Sequence, residues 1–110
     1  MGQAFIPIWT RWETGRVNLD EIIYIEKDLK KISIHTYGRE VSFYGKMHQI
    51  EEYLDSRFLV CHRSYLFNMD KIVHMGNQTL ELETGARIHL GRESFRKARR
   101  VFEQYIKGKL

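Results

Sequence analysis

Apolar and polar residues alternate with a period of two along most of the chain, which predicts short β-strands. The clearest run carries Ile32 and Ile34 on one face, and Val41 and Phe43 continue that face on a second strand. The segment 37–39 between them has the composition of a hairpin turn. Further strands are predicted at 5–12, 16–19, 22–25, 58–60, 71–75, 80–82 and 86–90. The pattern therefore indicates a mostly β protein.

The first predicted strand has one apolar face and an edge signal. Ile6, Ile8, Thr10 and Trp12 share a face if the strand extends from residue 5 to residue 12. Pro7 has no backbone N–H to donate to a neighbouring strand, so this strand is expected at the edge of a sheet.

Turn signals separate the later strands. Thr14-Gly15, Gly76-Asn77 and Thr84-Gly85 are turn dipeptides, and each stands between alternating runs. The mixed charges of Glu26–Lys31 interrupt the apolar pattern, so this segment is predicted to be a loop.

Two segments change to the helical period of 3.6 residues. Met47, Ile50 and Leu54 stand at i, i+3 and i+7 and predict an amphipathic helix of about ten residues. A second helix is predicted from about Arg92 to Lys107. Its inward residues are expected to be Phe95, Ala98, Phe102 and Tyr105. The predicted class is therefore mostly β with two short helices, in a chain whose length suits one domain.

The stretch from 58 to 68 places a polar triplet between two apolar segments. His62, Arg63 and Ser64 offer ring nitrogens, a planar guanidinium and a hydroxyl group. Such a triplet is typical of a contact loop, although a strand end with a solvated arginine has the same pattern. Asn68 follows it, and its amide is expected to bond the local backbone and fix the next turn.

Positive charge is concentrated at the C-terminus. Residues 1–86 hold ten Lys/Arg against twelve Asp/Glu, a net of −2, and residues 87–110 hold eight against two, a net of +6. Arg92, Arg96 and Arg99 lie at i, i+4 and i+7, which forms a basic stripe on the last helix. This asymmetry favours a polyanionic partner, and a soluble basic helix without such a partner is the alternative.

The sequence offers little to catalysis or to a metal ion. The five histidines lack metal-ligand spacing, and no glycine-rich phosphate loop or nucleophile elbow is present. No cofactor and no enzymatic activity are therefore expected. Cys61 is expected to be a small core residue, and one cysteine cannot form an internal disulfide, which fits a reducing cytosol.

Three polar, basic segments stand where predicted strands end, at 27–31, 62–64 and 91–96. Arginine and lysine at such positions can bond guanine edges or neutralise phosphates, so nucleic acid is the favoured partner. The alternative is a basic β module that binds an acidic protein or a membrane surface.

Five blocks of the chain resemble the LytTR-type DNA-binding domain, the output domain of many bacterial response regulators. These blocks are Ile-Ile-Tyr-Ile-Glu at 22–26, Phe-Tyr-Gly at 43–45, Phe-Leu-Val-Cys-His-Arg-Ser-Tyr-Leu-Phe-Asn at 58–68, Ile72, and Ile-His-Leu-Gly-Arg at 88–92. The resemblance extends from about residue 16 to residue 105. Residues 16–110 are thus expected to form the DNA-binding domain, with 1–15 as an N-terminal lead-in strand.

The resemblance implies an elongated arrangement of small antiparallel β-sheets that reads successive major grooves through loops. The contact positions it implies are Lys30 or Lys31 in the first loop, Arg63 after the motif histidine, and Arg92 at the start of the last helix. Gly91 stands where relatives often have serine, so one phosphate contact is expected to be missing. The full set of expected DNA-binding residues is Lys30, Lys31, His62, Arg63, Ser64, Arg92 and Arg96.

The resemblance also bears on partners and location. Duplex DNA with direct-repeat sites, a homodimer on that DNA and an N-terminal receiver domain outside this chain are the expected partners. The longest apolar runs are about four residues and no signal peptide is evident, so no membrane span is expected and the expected location is cytoplasmic.

Overall fold

The computed structural model describes residues 4–110, which form three small antiparallel sheets and two α-helices. The strands are β1 (Phe5–Trp9), β2 (Thr14–Asn18), β3 (Ile22–Asp28), β4 (Lys31–Thr36), β5 (Glu40–Tyr44), β6 (Phe58–His62), β7 (Tyr65–Asn68), β8 (Ile72–Gly76), β9 (Thr79–Leu82) and β10 (Arg87–His89). The helices are α1 (Met47–Glu51) and α2 (Arg92–Lys107). The expected class, mostly β with two helices, is confirmed.

A five-stranded sheet in the order β5-β4-β3-β7-β6 lies at the centre. β1 and β2 form a separate hairpin, and β8, β9 and β10 form a three-stranded sheet. Because β1 pairs only with β2, Pro7 stands on an edge strand, as predicted.

The central sheet separates two hydrophobic clusters. The first contains Ile25 and Ile32 and is covered by the β1–β2 hairpin and α1. The second contains Leu59 and Phe67 and is covered by the three-stranded sheet and α2. Different elements therefore cover the two faces of the central sheet.

Helix α2 begins and ends where the sequence predicted. Phe95, Ala98, Phe102 and Tyr105 all pack against the second cluster, and Ala98 is completely buried. The Tyr105 hydroxyl also donates to Asp70. This docking holds α2 against β6.

Three predictions at the N-terminal hairpin were wrong. β1 ends at Trp9, and Trp12 is 83% exposed instead of sharing the face of Ile6 and Ile8. The turn lies at 10–13 because Thr10 Oγ1 accepts the N–H groups of Trp12 and Glu13, each at 3.1 Å. Thr14 and Gly15 are strand residues that pair with β1.

The predicted loop at 26–31 is also wrong. β3 continues to Asp28 and β4 begins at Lys31, so the turn contains only Leu29 and Lys30. Charged residues fit this strand because its polar face is open to solvent and Glu26 meets His35 across the sheet at 2.9 Å.

Smaller differences concern boundaries. α1 has five residues instead of about ten, since i to i+3 bonds at Tyr53 and Leu54 replace further helical turns. Val60 is 55% exposed on the edge strand β6, although Phe58 on the same face of the strand is buried. The turn after β8 is Asn77-Gln78, one residue later than predicted.

Candidate nucleic-acid interface

Two turns project from the same end of the central sheet. The β3–β4 turn contains Leu29 and Lys30, and the β6–β7 turn contains Arg63 and Ser64. β7 begins beside the end of β3, and the N–H of Lys27 donates to the carbonyl oxygen of Ser64 at 2.9 Å. Two of the three predicted basic segments therefore lie side by side.

The β3–β4 turn and the first residue of β4 carry two exposed lysines. Lys30 is held by its backbone, because its carbonyl oxygen accepts the N–H of Gly45 at 3.1 Å. Lys31 begins β4 and lies opposite Tyr44. Neither lysine side chain has a hydrogen bond or ion pair within residues 4–110, so both ammonium groups are available to an external anion.

The β6–β7 turn places Arg63 at its tip. A register shift at Cys61 marks a β-bulge, which turns the chain before His62. Nδ1 of His62 accepts the N–H of Ser64 at 3.0 Å, and its ring packs against Tyr65 with the centroids 5.6 Å apart. Arg63 is exposed, and no carboxylate in the described part of the chain pairs with it.

The third basic segment opens α2. Gly91 is the N-cap, and it has no side chain to accept the first N–H groups of the helix. Arg92 is exposed and makes no ion pair with any described residue. By contrast Arg96 pairs with Glu93, and Nε of Arg99 lies 3.3 Å from Glu103. The predicted basic stripe is thus partly neutralised within the helix.

The start of α2 is fixed to the three-stranded sheet. The N–H of Leu90 donates to the carbonyl oxygen of Gln78 at 2.9 Å, and the Gln78 side-chain amide donates to the carbonyl oxygen of Leu90 at 3.0 Å. These bonds hold the backbone one residue before Gly91. The position of Arg92 therefore follows from the β8–β9 turn.

Lys97 is a candidate that the sequence reasoning missed. It lines a surface depression of about 240 Å³ together with His62, Arg63 and Glu51. α2 therefore brings a cation beside the β6–β7 turn. Lys97 lies outside the stripe of Arg92, Arg96 and Arg99, and only the packing of α2 on β6 identifies it.

Carboxylates occupy the open face of the central sheet between the basic turns. Glu26, Asp28 and Glu40 line a polar depression of about 510 Å³ with Lys31 and Ser64. A hydrogen bond from Ser42 holds the pKa of Glu40 below its ordinary value. Three carboxylates lie here against two lysines, Lys27 and Lys31, so this depression is less favourable to an anion than the turns at the end of the sheet.

The remaining chemistry is structural. Cys61 is buried, and burial raises the pKa of its thiol to about 11, as suits a core residue. No cluster of three or more potential metal ligands is found among residues 4–110. In the same range no helix is long and apolar enough to cross a membrane.

Small β-sheets that present unpaired cations on turns and at a helix start are the features of a DNA-binding domain that is not built on a helix-turn-helix. Residues 13–103 match the family described as LytTr DNA-binding domain, and the chain belongs to this family. Members of this family are DNA-binding domains and not a class of enzymes. The resemblance seen in the sequence is thereby confirmed.

Individual relatives agree with the family match. Accessory gene regulator protein A of Staphylococcus aureus (strain N315) is 33% identical over 58 residues, which cover 51% of this chain and 24% of that protein. The protein of the same name in Staphylococcus epidermidis gives the same values. The chain thus matches about a quarter of the length of these relatives.

The fold also matches a solved structure. The LytTr DNA-binding domain of a protein described as a methyl-accepting/DNA response regulator from Bacillus cereus superimposes with a TM-score of 0.74 at 20% identity. The match covers 91% of this chain and 97% of that one. This likeness supports the arrangement of small sheets described above.

Proposed function

We propose that this chain binds duplex DNA at specific sequences and acts as the output domain of a bacterial two-component response regulator. Family membership supports DNA binding. The response-regulator role is supported by the name of the Bacillus cereus protein and by the regulator name of the staphylococcal relatives. Residues 16–110 would form the binding unit, with 1–15 as its lead-in.

The observation that carries the proposal is the distribution of unpaired cations. Arg63, Arg92, Lys30 and Lys31 have no carboxylate partner among the described residues, and all four are exposed. Arg57 and Arg99 instead hold carboxylates of this chain. Arg39 and Arg100 are also exposed and make no ion pair, so it is the position of the first four residues, on two neighbouring turns and at the start of α2, that supports the proposal.

The proposed roles follow from position and chemistry. Arg63 and Arg92 would bond guanine edges in the major groove, since a guanidinium can donate two parallel bonds to O6 and N7. Lys30 and Lys31 would contact phosphates or bases at the adjoining turn. Ser64 would contact the backbone beside Arg63. His62 is proposed to act by shaping the turn that carries Arg63. Arg96 is proposed to contact a phosphate.

The test begins with selection of preferred duplexes from a random pool. Binding isotherms at fixed salt then compare the selected duplex with a scrambled one. Arg63→Ala and Arg92→Ala are expected to weaken the selected duplex by about 5-fold to 150-fold, the range for a lost bidentate base contact, and to change scrambled DNA far less. Folding should stay within roughly 0.5 kcal/mol of the parent protein, because both side chains are exposed.

Arg99→Ala is the matched control on the same helix, and Arg96→Ala tests a proposed phosphate contact. They remove arginines already paired within the helix, so both duplexes should weaken equally or remain unchanged. Equal affinity of the parent protein for selected and bulk DNA would contradict sequence-specific binding. It would instead favour a basic module for an acidic protein or a membrane surface. Proportional losses on both duplexes in Arg63→Ala and Arg92→Ala would show that these residues do not read bases.

Assembly on DNA forms part of the same proposal. Two copies of the chain would occupy a direct repeat as a homodimer on DNA, and a receiver domain outside this chain would control their access. Sedimentation of the chain with duplexes that carry one or two half-sites tests the stoichiometry. A second half-site that recruits no second copy would contradict this part.

A further inference from the structure

Leu29 has an unfavourable backbone conformation for its side chain. Its φ is 58°, in the left-handed region, where a bulky non-glycine residue costs about 1–3 kcal/mol. It is the first of two turn residues, the position that type II′ hairpin turns usually give to glycine. The other non-glycine residues with positive φ among residues 4–110 are Asn77 and Gln78, which are polar.

The leucine side chain makes no packing contribution to the fold that would offset this cost. Leu29 is 88% exposed and belongs to neither hydrophobic cluster. Glycine or asparagine would suit both the backbone and the solvent better. Residues with strained backbone conformations of this kind concentrate at functional sites.

The surrounding backbone holds the turn in place. Asp28 pairs with Lys31 across it, and the N–H of Gly45 bonds the carbonyl oxygen of Lys30 at 3.1 Å. Leu29 therefore lies in a closed two-residue turn whose flanking backbone is bonded. Its side chain stands beside Lys30 at the end of the sheet where Arg63 also projects.

We propose that Leu29 is a specificity-determining residue that packs against the C5-methyl group of a thymine in the major groove. This inference rests on the proposed function. The thymine methyl is the apolar group that a base pair offers in the major groove, and an exposed leucine has no polar atom with which to read anything else. The neighbouring lysine would neutralise phosphate and hold the turn against the groove.

The test replaces each thymine of the selected duplex in turn by deoxyuridine, which removes only the methyl group. For the parent protein one position is expected to lose affinity by about fourfold, the effect of returning one buried methyl group to water. Leu29→Gly should bind the unmodified duplex as weakly as the parent protein binds the deoxyuridine duplex. Combining the two changes should cause no further loss.

Leu29→Met is the matched variant, because it keeps an apolar side chain and should retain the preference for thymine. Thermal unfolding of each variant ensures that folded protein is compared. If no deoxyuridine substitution changes the affinity of the parent protein, or if the sensitivity survives in Leu29→Gly, the inference is overturned. The proposed function fails separately, when selection yields no duplex that binds better than bulk DNA.

Discussion

At the scale of single residues, the arginines of this domain differ by what holds them. The Arg57 guanidinium donates to both carboxylate oxygens of Asp55, with the shortest of these distances 2.9 Å, and to Asp20 at 2.6 Å. The backbone carbonyl oxygen of Arg57 also accepts the N–H of Met69. Arg63, by contrast, projects from a turn with no carboxylate partner among residues 4–110. The same residue type is structural in one place and free to bind an external anion in the other.

Arg57→Ala is expected to lower the free energy of unfolding by about 1 kcal/mol at pH 7, the value for a well-formed surface ion pair. Burial alone would raise the pKa of Asp55, but the hydrogen bonds from Arg57 outweigh it and hold that pKa below its ordinary value. A lowered folded-state pKa stabilises the fold above the unfolded pKa, and this contribution disappears as pH falls through the folded value.

Urea denaturation of the parent and Arg57→Ala proteins at pH 7 and at about pH 3 measures this effect. The difference in unfolding free energy should shrink at the lower pH as Asp55 becomes protonated. Binding to the selected duplex should remain unchanged at pH 7. A constant difference across pH would contradict the ion-pair explanation.

Asn68→Ala is expected to lower the unfolding free energy by about 1–3 kcal/mol. Asn68 is 1% exposed; its Nδ2 donates to the carbonyl oxygen of Ile22 at 2.8 Å, and its Oδ1 accepts the N–H of Asp70 at 3.0 Å. Alanine leaves a buried carbonyl group without its partner. Chemical denaturation checks this, with Gln104→Ala at an exposed helical position as the comparison. A fully stable Asn68→Ala protein with lost DNA binding would contradict the structural role.

At the scale of elements, hydrophobic periodicity was sufficient to predict a helix or strand where one face of that element is fully covered by the core. The boundaries of α2 and the pairing of Ile32 and Ile34 against the core follow from it. The local turn bond of Asn68 was also predictable, but its bond to Ile22 joins residues 46 apart and has no local signal. Contacts between distant elements likewise decide the placement of Lys97 beside Arg63.

The errors have a common physical origin in open surfaces. The charge of Glu26 led to the prediction of a loop. A strand with one solvated face can carry charged side chains and keep its backbone hydrogen bonds, so charge alone does not exclude a strand. Trp12 was predicted to share the apolar face of the first strand. The hydroxyl of Thr10 instead bonds the N–H of Trp12 in a turn, and the Trp12 side chain is exposed. The conformation of Leu29 could not be read from its identity, because leucine is a poor choice for it.

Ala98→Leu is expected to lower the unfolding free energy by about 1–3 kcal/mol, since the side chain at this position is completely buried between α2 and the second cluster. The larger residue should also move α2 away from β6 and displace Arg92. Affinity for the selected duplex should therefore fall even when only folded protein is counted. Gln104→Leu, which adds the same side chain on an exposed position, should change neither property. Equal effects of the two variants would contradict this docking.

At the scale of the whole molecule, the cations proposed to bind DNA on the two turns lie at one end of the central sheet. The β3–β4 and β6–β7 turns lie at that end, and the β4–β5 turn with Arg39 lies at the other. Lys97 joins the first group through α2. This arrangement gives the two ends of the sheet different roles toward a phosphate backbone.

Lys97→Ala is expected to weaken selected and scrambled duplexes by similar factors. It should also reduce the slope of log affinity against log salt by about 0.9, the value for one phosphate contact. Arg39→Ala removes the same charge from the opposite end and should leave the slope unchanged. Isotherms at four or more salt concentrations measure both slopes. Equal changes in the two variants would show that net charge, and not its position, governs binding.

The bonds between Gln78 and Leu90 have a consequence for the spacing of an operator. They join the start of α2 to the three-stranded sheet, and the second hydrophobic cluster joins that sheet to β6 and β7. A packed core therefore sets the distance between the backbone positions of Arg63 and Arg92, and this distance stays fixed when the domain binds. One base pair inserted between their two sites moves one site by about 3.4 Å and rotates it by about 35°. A flexible tether would follow such a shift, whereas a domain with this packed core would lose one of the two proposed contacts.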